Sequence, residues 1–237
     1  MGKQTGLYLN CKSGNILYYS RKGIPCIKTI PANVYQSPVV VAHKNANGLA
    51  TTMGGSFRRL LADVLPYPKS MRMQTNVRLA LLKWLKQGPA SSIPPANIPF
   101  VSELSFNEAA ALKNCLNVLL MLTQTAPGEL AVSVPQMVPV TAFTAPRETA
   151  YINIKIAAAC CDFTTGEALQ NYSTHITIPY NAVSIPAQAI SFSMQMPVNS
   201  LTIVAIALDY FTINNGRPSL ITDARCRPSQ VIGGVVK

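Results

Sequence analysis

Ile152-Asn153-Ile154-Lys155-Ile156 changes from apolar to polar at every step. A strand turns successive side chains to opposite faces, so the three isoleucines share one side and Asn153 and Lys155 the other. The same period of two recurs where Thr174, Ile176 and Ile178 flank His175 and Thr177, and where Ile190, Phe192 and Met194 alternate with Ser191 and Ser193. Leu201 to Phe211 is a long apolar run, as expected of a buried strand. Turn signals separate these runs at Thr165-Gly166, Tyr180-Asn181, Pro197-Val198-Asn199 and Asn214-Asn215-Gly216. From about Glu129 onward the pattern predicts six or seven short strands in an antiparallel β-sandwich. The outline is immunoglobulin-like, without the Cys-Trp-Cys spacing of immunoglobulin domains.

Upstream the period changes. Phe57, Leu60, Leu61, Val64 and Leu65 repeat at three and four, which predicts a helix ending at Pro66 and Pro68. A second helix is expected from about Pro68 to Lys86. Val77, Ala80, Leu81, Trp84 and Leu85 make its apolar side, Lys69, Arg72, Lys83 and Lys86 its basic stripe, and Gly88-Pro89 its end. Asn107 reads as the N-cap of a third helix running to Leu122. Nearer the N-terminus, Ile16-Leu17-Tyr18-Tyr19 and Ile24-Pro25-Cys26-Ile27 flank Ser20-Arg21-Lys22-Gly23 and predict a hairpin with a basic tip. Pro25 lacks an amide hydrogen and confines its strand to an edge or a strand start. The expected class is α+β. Its regions are a basic hairpin and helical part (1–88), a proline-rich connector and helix (89–127), and the β-sandwich (128–237).

Charge is distributed as unevenly as structure. Residues 1–88 hold 13 Lys and Arg against Asp63 alone, a charge of +12, and the remainder holds 7 basic against 8 acidic residues. So concentrated an excess repels itself unless solvated or matched by an anionic partner. Arg21, Lys22, Lys28, Arg58, Arg59, Lys69, Arg72, Lys83 and Lys86 are therefore the candidate residues for binding an anion or a partner, with Tyr8, Tyr18, Tyr19 and Tyr35 available for stacking on bases. No RRM signature, zinc finger or clear helix-turn-helix accompanies them. Charged residues are only 12% of the chain, about half the usual share. Extensive uncharged surface is what a subunit covered by neighbours shows.

Catalytic patterns are missing from the sequence. It contains no G-x-S-x-G, P-loop, G-x-G-x-x-G, H-E-x-x-H or C-x-x-C, and Gly54-Gly55-Ser56 is too short for a phosphate cradle. His43, placed before a helix, reads as a cap or surface residue, and His175 as a strand residue. Cys11, Cys26, Cys115, Cys160, Cys161 and Cys226 read as free thiols, mostly buried. No enzyme activity and no cofactor are expected. The opening MGKQTGLYLNCKSGN lacks the apolar core of a secretory signal, and no apolar run reaches 18 residues, so a cytoplasmic location and no membrane span are expected. These readings favour a structural or scaffold subunit that forms a homo-oligomer or packs on an acidic protein surface, with nucleic-acid binding through residues 1–88 as the alternative.

Ser13-Gly14-Asn15-Ile16-Leu17-Tyr18-Tyr19, followed by Lys22-Gly23 and Ile30-Pro31, resembles the N-terminal signature of an uncharacterised protein family of Bacteroidota. There an S-G-N-hydrophobic-Tyr run leads into Lys-Gly and a basic, proline-marked segment. The likeness continues more weakly through Gln36, Phe57-Arg58-Arg59-Leu60, Pro99-Phe100 and Phe106-Asn107. It implies a bacterial protein, and it carries over no function and no catalytic residue.

Overall fold

The computed structural model describes residues 3–5, 8–30, 37–65, 71–88, 104–107 and 109–237. The chain forms two compact units, Met1–His43 and Lys44–Lys237, where composition draws its divisions after residues 88 and 127. The proline-rich stretch 89–99 lies outside the described residues.

In the first unit, β1 (Lys3–Thr5), β2 (Tyr8–Ser13), β3 (Ile16–Arg21) and β4 (Ile24–Thr29) form an antiparallel sheet in chain order. The β3–β4 turn is Lys22-Gly23, both at positive φ (53° and 79°), the left-handed pair whose twist suits a two-residue hairpin. Arg21 and Ile24 close that turn, so Ser20 and Pro25 form the next pair, which exchanges no ladder hydrogen bonds. Pro25, second in the edge strand β4, therefore lacks nothing the sheet requires.

The second unit is built on β7 (Tyr151–Asp162) and β10 (Ser200–Asn214), with α1 (Pro38–Leu60), in which the unit boundary falls, and α2 (Met71–Gln87) on one face. β8 (Ala168–Pro179), β11 (Arg217–Leu220) and β12 (Ser229–Val236) complete a five-stranded antiparallel sheet of order β11-β10-β7-β8, with β12 also on β10. A second sheet has order β5 (Met121–Ala126), β6 (Glu129–Val134), β9 (Gln188–Ser193). The single turns α3 (Leu112–Cys115) and α4 (Pro139–Ala142) lie in the connections.

The alternation of β7 and β10 divides the core in two. Ile152, Ile154, Ile156, Val204, Ile206, Leu208 and Tyr210 pack in one cluster with Leu130, Val132 and Phe192 of the smaller sheet. Ala157, Ala159, Cys161, Ile203, Ala205 and Ala207 face the other way and pack with Met53, Phe57 and Leu61 of α1 and Val77, Leu81 and Trp84 of α2. Small side chains on the helix side make room for the bulky Phe57 and Trp84. Both faces being covered, Ser200 to Tyr210 are all buried, which accounts for the apolar run in the sequence. Phe57, Leu61, Val64, Leu65, Val77, Leu81 and Trp84, read as stripes, are buried together.

Three local expectations are corrected. α1 begins at Pro38, earlier than the apolar stripe shows. Ser37 caps it, its Oγ accepting from the Val40 amide at 3.4 Å, and exposed His43 lies inside the helix rather than before it. The helix expected from Asn107 to Leu122 reduces to the turn Leu112–Cys115. Leu116 is already extended (φ −131°, ψ 112°), and burial of Leu120 and Leu122 but not Met121 follows strand alternation into β5. Asn107 accepts from the Ala109 amide (3.0 Å) and donates to the Arg227 carbonyl (2.7 Å), so it ties a loop to the β12 approach instead of capping a helix. Pro68 to Ser70, the expected start of the second helix, lie outside the described residues.

Gly166, in the expected β7–β8 turn, holds φ at +80°, and a Cβ there would lie 2.9 Å from Thr52 Cβ of α1. Its carbonyl accepts the buried Ser56 hydroxyl at 2.8 Å. Gly166→Ala combines left-handed strain with a clash at this junction, and we expect a loss of about 1–3 kcal/mol in denaturant unfolding. A loss below a few tenths would contradict the packing.

Candidate functional site

The described candidate cations are shared between the two units. In the first unit, the β3–β4 register puts Leu17, Tyr19, Arg21, Ile24, Cys26 and Lys28 on one face of the hairpin, with Lys22 in the turn. Arg21, Lys22 and Lys28 are all exposed. Tyr18 points to the face opposite Tyr19, so at most one of the pair accompanies Arg21 and Lys28. The Tyr8 side chain and Tyr35 lie outside what is described, as does Lys69.

In the second unit, Arg72, Lys83 and Lys86 are exposed on one stripe of α2, at about 100° per residue, with Thr75 and the 48% exposed Leu79 between them. Arg59 is engaged locally: it donates to Ser56 Oγ at 3.3 Å, the hydroxyl that reaches Gly166. Arg58 instead lines a cavity of about 270 Å³ between α1 and α2, together with Arg78, which is absent from the sequence-derived set. The wheel places Arg78 off the basic stripe, beside Leu85, and only the closure of α2 on α1 makes it a neighbour of Arg58.

A further cluster has no sequence signal at all. Asp209 is 3% exposed, and its carboxylate meets Lys155 Nζ at 2.6 Å and Arg227 at 2.8 Å. Such a buried carboxylate needs its partners, since an unpaired charge there is costly. Lys155, the polar residue of the alternating β7 pattern, thus points to the helix side of the sheet and is neutralised there. The arrangement is a structural ion cluster.

All six cysteines are free. Cys115, Cys160 and Cys161 are buried, and Cys11, Cys26 and Cys226 half-buried. Burial first, and Cys160 next, push the Cys161 thiol up to about 12, and burial likewise raises Cys115. A thiol held protonated is a poor nucleophile. Native protein should therefore give up Cys11, Cys26 and Cys226 to a disulfide reagent first, with Cys115, Cys160 and Cys161 following only on denaturation. Labelling of Cys161 as fast as Cys11, read by peptide mass spectrometry, would contradict that order.

Among the described residues, β8 is the longest strand paired on one side only. β7 pairs with one side of it from Tyr151↔Pro179 to Cys161↔Ala168, and among the described residues no backbone hydrogen bond is made to the other side. Its sequence ALQNYSTHITIP has no Lys, Arg, Asp, Glu or Gly, and its single proline is the last residue. The irregularity in the ladder falls only at the Cys160–Cys161 end. At the opposite side of the sheet, β12 is partly covered, with Phe106 donating to the Ser229 carbonyl at 2.8 Å and Val231 donating to that of Leu104 at 3.0 Å. β11 carries Arg217 and Pro218.

No family model, no curated protein and no solved structure matches this chain. Among the described residues no helix is long and apolar enough to cross a membrane.

Proposed function

We propose that the protein is a non-enzymatic structural or scaffold subunit that assembles with copies of itself, joined edge to edge through β8. The observation that carries this reading is the composition of that edge. Sheet proteins that stay apart guard their edges with charges, prolines or bulges, and β8 has none of these between Gln170 and Thr177. Its Tyr172 and Ile176 only partly cover the core between the two sheets, and an added strand would complete that cover. Asn171, Ser173, His175 and Thr177 on the other face are exposed and carry no fixed charge, so two copies meeting about a two-fold axis bring no like charges together. In the same reading the five- and three-stranded sheets are the layers of a β-sandwich, immunoglobulin-like only in outline.

Light scattering after size exclusion, at tens of micromolar, tests this. A dimer or larger particle is expected, and Ser173→Lys with His175→Lys, which places like charges along the edge, should return it to monomer without lowering the melting temperature of the fold. A wild-type monomer at that concentration contradicts the proposal.

A second reading rests on a different observation, the exposed Arg72, Lys83 and Lys86 stripe on α2 and the cations Arg21, Lys22 and Lys28 on the hairpin. Nucleic acid bound there through its phosphates should dissociate steeply with salt. Three such contacts on α2 give a log–log slope of about −2 for single strands, and removing Lys83 and Lys86 together should flatten it by about 1.4. Absence of binding to random DNA and RNA at low salt removes this reading.

A further inference from the structure

The cavity between α1 and α2 brings two arginines up against an apolar wall. Phe57, Leu61, Met73, Val77, Phe106 and Ile203 supply apolar wall, and Arg58 and Arg78 are the charged side chains among the described residues that line it. Its volume of about 270 Å³ is close to the lower end of ligand pockets. Both arginines are half-buried. Arg78 is held in place, its Nη1 donating to Asn47 Oδ1 at 2.6 Å, which leaves further guanidinium donors. Arg58 makes no hydrogen bond or ion pair among the described residues. A half-buried guanidinium beside an apolar wall gains most from an oxyanion, which it grips through paired N–H donors.

The glycines of α1 add an independent observation. Gly54 and Gly55 both line the cavity in the interior of a 23-residue helix, where glycine is unfavourable. At Gly54 a Cβ would come within 3.7 Å of Val77 Cγ1, so α2 packs closely there. At Gly55 a Cβ would meet nothing within 4 Å, and no positive φ calls for glycine. Gly55 thus leaves open space at the wall of the cavity, which a larger side chain there would narrow.

We propose that this cavity is a binding site for a small monoanion with an apolar body, of the class of medium-chain carboxylates, its chain against Phe57, Leu61, Val77 and Ile203 and its carboxylate on Arg58 and Arg78. The site is separate from the β8 edge and does not depend on assembly.

Calorimetric titration of the full chain with octanoate, and in parallel with 1-octanol and octyltrimethylammonium, tests the assignment. One saturable site is expected, at least about tenfold tighter for octanoate than for either of the others, since a charge-assisted hydrogen bond separates them. Arg58→Gln should erase that preference. Gly55→Phe should abolish binding by filling the space, while Gly55→Ala keeps it, with thermal melts confirming that each variant is folded. Should Gly55→Phe not fold, Gly55→Leu replaces it with the same expectation. Failure of octanoate to saturate at millimolar concentration overturns the proposal. So does equal affinity for the three probes, or undiminished binding in the folded filling variant.

Discussion

The antiparallel pairing of β10 with β7, unbroken from Ser200↔Asp162 to Phe211↔Tyr151, is the interaction on which the larger unit depends. Each strand gives alternate side chains to two different cores, one with the three-stranded sheet and one with α1 and α2. Neither core closes without it. Burying both faces of a sheet requires a backbone whose hydrogen bonds are met within the ladder and side chains that need no water. β10 meets the second condition with apolar residues almost throughout. Of its buried polar residues, Ser200 donates to the Pro197 carbonyl, Asp209 is compensated by Lys155 and Arg227, and only Thr202 Oγ1 has no partner among the described residues.

A plate covered on both faces can extend only at its edges. On the β10 side the chain has spent its own segments, β11, β12 and the 104–107 stretch, on covering the ladder. On the β7 side it added β8, whose outer edge pairs with no other described strand. Among the described residues the sheet thus has one covered side and one open one, and it is on the open side that the proposed assembly rests. The helices, by contrast, carry clustered arginines and lysines. Their inner surfaces close around Arg58 and Arg78, and the outer surface of α2 shows Arg72, Lys83 and Lys86 to solvent.

What the sequence disclosed follows the range of each signal. Alternation is local, so β7, β8, β9 and β10 were legible from Ile152, Ile176, Phe192 and Leu201 onward, as were the buried stripes of both helices and the Lys22-Gly23 turn. The Leu116–Leu122 run was read as helix because a short apolar run fits either period, and only its placement against Phe143 and β6 decides for an extended chain. Ser37-Pro38 was a readable start for α1 that the apolar stripe, beginning further on, overshadowed. Nothing local distinguishes β8 as an edge, because Tyr172, Thr174 and Ile176 alternate as they would in an inner strand. Arg78 and the Asp209 cluster were invisible for a related reason: their partners are brought by tertiary contacts between distant segments.

Native-state hydrogen exchange, followed residue by residue at dilute and at tens-of-micromolar protein, tests the doubly covered, singly open sheet most directly. The account predicts that β7 and β10 amides exchange only through global unfolding at both concentrations, while the outward amides of β8 exchange fast when dilute and slow when concentrated. Exchange of the β10 amides by local opening, ahead of α1 and α2, or β8 amides indifferent to concentration, would contradict it.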